Sequence, residues 1–319
     1  MLTYILFVIG FLVLIKGADW LVEGAASVAK RLAVSDIAIG LTVVAFGTSM
    51  PEMMVNLFAS AQGNTEIAIG NILGSNIANI LLILGISSMI YPLSVHKNTV
   101  WKEIPLSLLA VVIVGLLAND VLVDGAAASV LTRSEGLTLI GFFVIFMYYT
   151  FGIAKASEEN ISEREVREHG LVRSLVFVMA GLLALVLGGA WIVNGAVALA
   201  SAAGLSQSLI GLTIVAVGTS LPELATSVVA AYRKNTDIAI GNVVGSNIFN
   251  IFWILGLSAV IRPLSFNATA NADVAMVIVA SLLLFLFLFV GKKHILERWQ
   301  GLGFVCFYIG YLIFLVMRG

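Results

Sequence analysis

The chain has 319 residues, 60% hydrophobic and 11% charged, with a formal net charge of −1 and a mean hydropathy of +1.07. A soluble domain carries about 25% charged residues, so a water-soluble enzyme with a solvated surface is excluded. The charge balance gives no footprint for nucleic acid or a strongly anionic surface. The apolar residues come in long runs rather than in alternation, which excludes an outer-membrane barrel. Runs of roughly 18 to 28 residues are long enough to cross a ~30 Å hydrocarbon core as helices.

In chain order the runs predict ten spans, over 2–28, 37–61, 66–91, 101–118, 136–154, 172–200, 207–231, 237–261, 273–290 and 300–317. The first opens with Leu2–Ile15, which has the length of a signal-peptide core but no basic segment before it, so it is read as structure. The segment 155–171 holds most of the soluble charge, including Glu158, Glu159, Glu163, Arg164, Glu165, Arg167 and Glu168. It reads as a solvated linker, with a regulatory cation site as the alternative, and it is too short for a folded sensor domain. The expected organisation is an N-terminal five-helix unit (1–154), a cytoplasmic connector (155–171) and a C-terminal five-helix unit (172–319). The single cysteine, Cys306, lies in the last span, where core packing is expected, and it has no partner for an intramolecular disulfide.

The chain repeats itself at an offset of 171 positions. Gly47-Thr48-Ser49-Met50-Pro51-Glu52 meets Gly218-Thr219-Ser220-Leu221-Pro222-Glu223, and Gly74-Ser75-Asn76-Ile77 with Asn79 meets Gly245-Ser246-Asn247-Ile248 with Asn250. About 34 of the 60 positions from Ser35 to Ser94 are identical without a gap, an internal repeat. The match is weaker upstream, where Trp20 and Gly24 meet Trp191 and Gly195. Five spans per copy is odd, so the second copy enters the membrane from the opposite side, the inverted-repeat plan of secondary transporters. With the N-terminus outside, Lys30, Arg31, Lys97, Lys102, Lys155, Arg164, Arg167, Arg173, Arg233, Lys234, Lys292, Lys293 and Arg298 fall on the inner side. Only Arg133, Arg262 and Arg318 fall outside. That bias supports ten spans with both termini extracytoplasmic.

Glu52 and Glu223 are the only acidic residues in the middle of apolar spans, and they are repeat mates. An ionised group at the bilayer centre costs on the order of 3 kcal/mol even on the lenient insertion scale. Lys16 alone lies at comparable depth and cannot serve both symmetrically, whereas a bound cation can. A structural hydrogen bond or a protonated acid is the alternative. Pro51 and Pro222 cannot donate to the carbonyls of Gly47 and Gly218, four residues back, so each helix is expected to break there. Bare carbonyls at that depth are tolerated where they line a cavity or coordinate an ion.

The spacing of four puts Thr48 with Glu52, Thr219 with Glu223, Ser75 with Asn79 and Ser246 with Asn250 on shared helical faces. The donors are then all oxygen, which indicates a hard cation. Ca²⁺ suits a loose cage better than Mg²⁺. His96, His169 and His294 map to loops, and no paired-cysteine or zinc-protease motif occurs. Gly70-x-x-x-Gly74 and Gly241-x-x-x-Gly245 read as close helix packing. Asn71, Asn76, Asn242 and Asn247 read as interhelical hydrogen bonds, with ligation as the alternative. Lys16 and Asp19 are three apart and are expected to pair on the first helix.

These motifs resemble the two α-repeats of the sodium/calcium exchanger family, within the cation/calcium exchanger superfamily, and the length resembles its compact prokaryotic members. The resemblance implies an all-α integral membrane fold of ten helices in two inverted five-helix repeats, with the second, third, seventh and eighth helices broken around a midplane site. It implies that Glu52 and Glu223 bind Ca²⁺ with the carbonyls of Thr48 and Thr219. It further implies Na⁺ bound by Ser49, Ser75, Ser220, Ser246, the carbonyls of Ala45 and Ala216 and the same glutamates, with Asn79 and Asn250 completing the centre. The first and sixth helices are implied to slide across the other eight. Asparagine at 250, where some relatives have aspartate, implies independence from K⁺.

The expected function is exchange of three Na⁺ for one Ca²⁺, electrogenic, in a cell (inner) membrane, with the lipid bilayer as partner, the two ions as substrates, no nucleic acid and no cofactor. A monomer suffices for it. A proton/calcium antiporter of the same fold and a calcium-permeable channel are the rival readings.

Overall fold

Residues 2–156, 169–202 and 216–318 are described by the computed structural model of the chain. Most of the expected connector (157–168) and the start of the expected seventh span (207–215) lie outside them. All the membrane-crossing elements among the described residues are helices. Eight are long and apolar enough to cross a bilayer singly. These are α1 (Leu2–Arg31), α4 (Thr65–Ile90), α5 (Thr99–Leu117), α6 (Arg133–Gly152), α7 (Leu171–Leu199), α10 (Thr236–Ile261), α11 (Ala268–Phe287) and α12 (Arg298–Arg318). Taken together, the bent pair α2 (Asp36–Thr48) and α3 (Met50–Gln62) is long and apolar enough to be a ninth. The corresponding stretch of the second copy ends as α8 (Ala216–Thr219) and α9 (Leu221–Tyr232).

α4 and α10, the repeat mates that carry the Gly-Ser-Asn motifs, form the centre. Their apolar windows are 72% and 78% buried, against 22–39% for the other six. Each was expected to break, and each instead continues through a π-helical stretch, Ala78–Leu84 in α4 and Phe249–Leu255 in α10. Glycine without proline leaves every backbone donor in place, so the ladder widens there rather than ending.

The small residues of α1 and α7 bring their backbones together. A Cβ on Gly17 would lie 2.9 Å from the carbonyl oxygen of Gly181, and one on Gly24 would lie 2.9 Å from that of Ser174. Nearer the start of α1, a Cβ on Gly10 would lie 3.0 Å from the carbonyl oxygen of Gly188. Positions rise on α1 as they fall on α7, so these two repeat mates run antiparallel. That is the relation an inverted second copy requires.

The loops tell the same story. β1 (Leu93–Ser94) pairs antiparallel with β4 (Ile295–Leu296), and β2 (Val130–Leu131) pairs antiparallel with β3 (Leu264–Ser265). Each ribbon joins two loops that the ten-span count puts on the same side. Side chains agree at one end, where His96 meets Asp237 (3.2 Å) and Arg298 reaches the carbonyl of Ile90 (3.3 Å). They agree at the other, where Asn119 bonds Asn271 (2.7 Å) and Asn267 bonds Glu66 (3.4 Å).

Two expectations about packing change. Gly241 and Gly245 do pack tightly, on Gly40 and Leu41 of α2, but Gly70 and Gly74 meet nothing within 4 Å among the described residues. Their partners by repeat equivalence, Gly211 and Leu212, lie outside those residues. Cys306 is exposed on α12 rather than packed in the core, because on a helix apolar all round hydropathy does not say which face turns inward.

Candidate cation site

The site begins at the two prolines. Pro51 and Pro222 stand in the first turns of α3 and α9, where a missing N–H costs nothing. Ser49 and Ser220 just before them leave the helical region (φ −81°, ψ 9° and φ −86°, ψ 8°), and α2 and α3 meet at a bend of 48°. Glu52 and Glu223 thus occupy first turns, where the helix dipole favours negative charge. The sequence expectation of a broken second helix agrees with the bend between α2 and α3, and the second copy is interrupted at the matching residue, Ser220.

Both glutamates are 1% exposed, and their bonds cross between the copies. The Ser49 hydroxyl donates to Glu223 Oε1 (2.8 Å), and the Ser220 hydroxyl donates to Glu52 Oε1 (3.0 Å). Ser75 also donates to Glu52 Oε1 (3.4 Å), and Ser246 and Ser75 bond Ser49 and Ser220 at 2.9 and 3.3 Å. Thr48 stands beside Glu223, and Thr219 beside Glu52. The break at Ser49 comes between Thr48 and Glu52, so the helical spacing rule does not carry across it. The Thr48 hydroxyl instead donates to Asn242 Oδ1 (2.9 Å) and, more weakly, to the Ala45 carbonyl (3.3 Å). That carbonyl also accepts from Ser49 N (3.0 Å), and Ala216 opens α8.

Asn79 and Asn250 lie on the π-helical stretches of α4 and α10 and are 1% and 0% exposed. The second carboxylate oxygens of Glu52 and Glu223, and the carboxamide oxygens of Asn79 and Asn250, are buried without a hydrogen-bond partner among the described residues. No lysine, arginine or histidine among those residues pairs with either glutamate. Leaving one buried acceptor unmet costs about 1–3 kcal/mol, and here four are left unmet on the two glutamates and the two asparagines. All four are pure acceptors, a donor set that fits a hard cation.

Two supporting residues escaped the sequence reading. Asn56 and Ser227 sit one turn beyond each glutamate and are buried. Asn71 donates to Asn56 Oδ1 (2.7 Å) and to the Glu52 carbonyl (3.3 Å), and Asn242 donates to Ser227 (2.9 Å) and to the Glu223 carbonyl (3.2 Å). In turn Asn56 and Ser227 bond the carbonyls of Ala68 and Ala239 (3.0 and 3.4 Å). The signal was present as a polar residue four after the glutamate in both copies, obscured because the two residues differ. Asn71, Asn76, Asn242 and Asn247 make interhelical hydrogen bonds, as expected.

A helical membrane protein with paired acids and unmet acceptors at its buried centre belongs to the class of ion transporters rather than enzymes. The chain matches the sodium/calcium exchanger protein family over residues 2–152 and 173–317. It is similar to CaxA of Alkalimonas amylolytica, an antiporter by its name, with 39% identity over 98% of each chain. It is also similar to the sodium/calcium exchanger MaX1 of Methanosarcina acetivorans, with 33% identity over 98% of each. Its fold is similar to that of the sodium-calcium exchanger NCX_Mj solved with Na⁺ and Ca²⁺, with a TM-score of 0.83 and 35% identity over 97% of each chain. The chain belongs to the sodium/calcium exchanger family, as one of its compact prokaryotic type. Members of this family are membrane antiporters of Ca²⁺ and other cations.

Proposed function

We propose that the protein exchanges three Na⁺ for one Ca²⁺ by alternating access, without K⁺. The observation that carries this reading is the set of four unmet, buried oxygen acceptors around two acids that have no basic partner. Glu52 and Glu223 take Ca²⁺ with the carbonyls of Thr48 and Thr219. Na⁺ uses Ser49, Ser75, Ser220 and Ser246, the carbonyls of Ala45 and Ala216, and the same glutamates, while Asn79 and Asn250 contribute their oxygens to the centre. Because Ca²⁺ and Na⁺ compete for two shared carboxylates, they bind in turn, and binding in turn is antiport.

Charge counting gives the voltage dependence. Two carboxylates hold −2, so one Ca²⁺ leaves the centre neutral and three Na⁺ leave it at +1. Moving that charge couples transport to the membrane potential at about 2.3 kcal/mol per 100 mV. An inside-negative potential and inward Na⁺ flow then both drive Ca²⁺ out. Asparagine at both 79 and 250 leaves the centre without a third carboxylate, which supports K⁺-independence.

The fold we propose around this site is ten helices in two inverted repeats, 1–154 and 172–319, joined by a cytoplasmic connector (155–171), with both termini outside an inner membrane. Antiparallel α1 and α7 and the same-side loop ribbons support it. Their close glycine contact also supports α1 and α7 moving as one body against the other helices. Radiocalcium uptake into proteoliposomes under imposed gradients, with voltage clamped, is the test. Uptake driven by Na⁺ and accelerated by the potential is the expected result. Uptake driven by protons alone would replace sodium as the coupling ion. Flux that does not saturate and needs no counter-ion would replace exchange by a channel.

A further inference from the structure

The carboxamides of Asn79 and Asn250 each have an oxygen face and an amino face of nearly the same shape. Which face turns to the centre decides whether the residue adds a ligand or a repelling donor. Both Nδ2 atoms are engaged by an asparagine of the other copy. Asn250 Nδ2 donates to Asn76 Oδ1 (2.9 Å), and Asn79 Nδ2 donates to Asn247 Oδ1 (2.9 Å). Both Oδ1 atoms are left buried without a partner.

One contact fixes the sense of this arrangement at Asn250. Asn76 Nδ2 donates to the backbone carbonyl of Asn247 (3.2 Å), and a carbonyl can only accept. Asn76 must therefore turn its Oδ1 the other way, toward Asn250, and Asn250 must answer with its Nδ2. The same crossed bond recurs in the other copy between Asn247 and Asn79. Asn76 and Asn247 are themselves buried, at 0% and 2% exposure, so water does not compete for these bonds.

We propose that Asn76 and Asn247 are positioning residues that lock the carboxamides of Asn250 and Asn79, across the two copies, with oxygen toward the cations. This rests on the reading of the centre as a cation site and assigns a role to the first asparagine of each Gly-Ser-Asn-x-x-Asn motif. It also explains how neutral asparagines serve an oxygen-only site. A carboxylate would present oxygen either way round, whereas a carboxamide needs a clamp. Removing an outer partner of a metal ligand costs about 10–100-fold in affinity.

A double-mutant cycle tests the clamp, read as the Ca²⁺ concentration at half-maximal uptake in proteoliposomes of the full chain. Asn76→Leu removes the acceptor at similar volume and should raise that concentration at least about 10-fold. In the Asn250→Asp background orientation no longer matters, and Asn76→Leu should change it by no more than about three-fold. Asn247→Leu with and without Asn79→Asp repeats the cycle in the other copy and serves if Asn76→Leu does not fold. Equal losses in both backgrounds would reduce Asn76 and Asn247 to packing and overturn the clamp while leaving exchange intact. Absence of saturable Ca²⁺ uptake in the unmutated protein would instead overturn the functional reading beneath it.

Discussion

Asp19 and Glu23 lie one turn apart on α1, and Glu52 and Glu223 interact with one another at the centre. The first two are met by the protein's own bases. Lys16 bonds Asp19 (3.1 Å), Arg233 bonds Asp19 and also Glu23 (3.2 Å), and His169 bonds Glu23 (2.7 Å). The second two receive only hydroxyls and keep one oxygen each without a partner. Acids that a protein neutralises from its own side chains hold helices together. Acids at full burial without a base carry a charge that protonation or a bound cation relieves. Among the described residues Glu103 is buried without a base as well, but it stands singly and accepts from the Tyr149 hydroxyl (2.6 Å). Asp273 repeats the first pattern, held by Arg318 (3.1 Å) and by the Tyr311 hydroxyl (2.9 Å).

The comparison breaks most visibly at the centre. Glu52→Gln or Glu223→Gln should leave a folded, monodisperse protein whose Ca²⁺ exchange falls more than about 100-fold. Losing half the charge that a desolvated divalent ion needs is worth on the order of 3–5 kcal/mol. Wild-type-like flux in either variant would contradict the assignment. Asn250→Asp should come next. It adds a third carboxylate beside the two glutamates, and transport measured across pH and with added K⁺ should then respond to both. An unchanged response would remove position 250 from the account.

Effects at the neutralised cluster should be smaller and of another kind. Arg233→Gln leaves Asp19 and Glu23 with Lys16 and His169. Because these groups are partly exposed, the loss should be about 1 kcal/mol, a fall of a few degrees in thermal midpoint with the Ca²⁺ concentration at half-maximal uptake unchanged. The smallest effect is expected at the loop pair His96–Asp237. The Asp237 carboxylate, by its hydrogen bond and charge, with Glu103 adding to the field, holds the His96 imidazole above its ordinary range against partial burial. A raised folded value means that the pair stabilises below about pH 6.5, the unfolded value. That contribution disappears as pH rises through the folded value. His96→Gln should therefore cost less than about 1 kcal/mol at pH 6 and nothing at pH 9. A cost that grows with pH would reverse the sign.

Much of the centre was legible because its signals are local and doubled. Glu52 and Glu223 stand out as deep acids, and Pro51 and Pro222 mark the helix interruptions at Ser49 and Ser220 by removing one donor each. The third and eighth helices misled for the complementary reason. The resemblance implied a break there, but no proline removes a donor, and each helix continues through a π-helical stretch. Other features depend on contacts between distant residues. Nothing near Asp19 in the chain announces Arg233, 214 positions away. The crossed partners of Asn76 and Asn247 likewise exist only once α4 and α10 are side by side. The heptad of Gly10, Gly17 and Gly24 was overlooked because the repeat fades upstream, although Gly10 and Gly17 do have glycine mates at 181 and 188.

The most direct test of the central claim is an anomalous difference map from crystals of the protein soaked in a heavy divalent analogue of Ca²⁺, repeated at rising Na⁺. The account predicts one peak bridging Glu52 and Glu223 within reach of the Asn79 and Asn250 oxygens, fading as Na⁺ rises and absent in Glu52→Gln. A centre without a peak at saturating divalent ion, or a peak that survives both Na⁺ and the substitution, would contradict it.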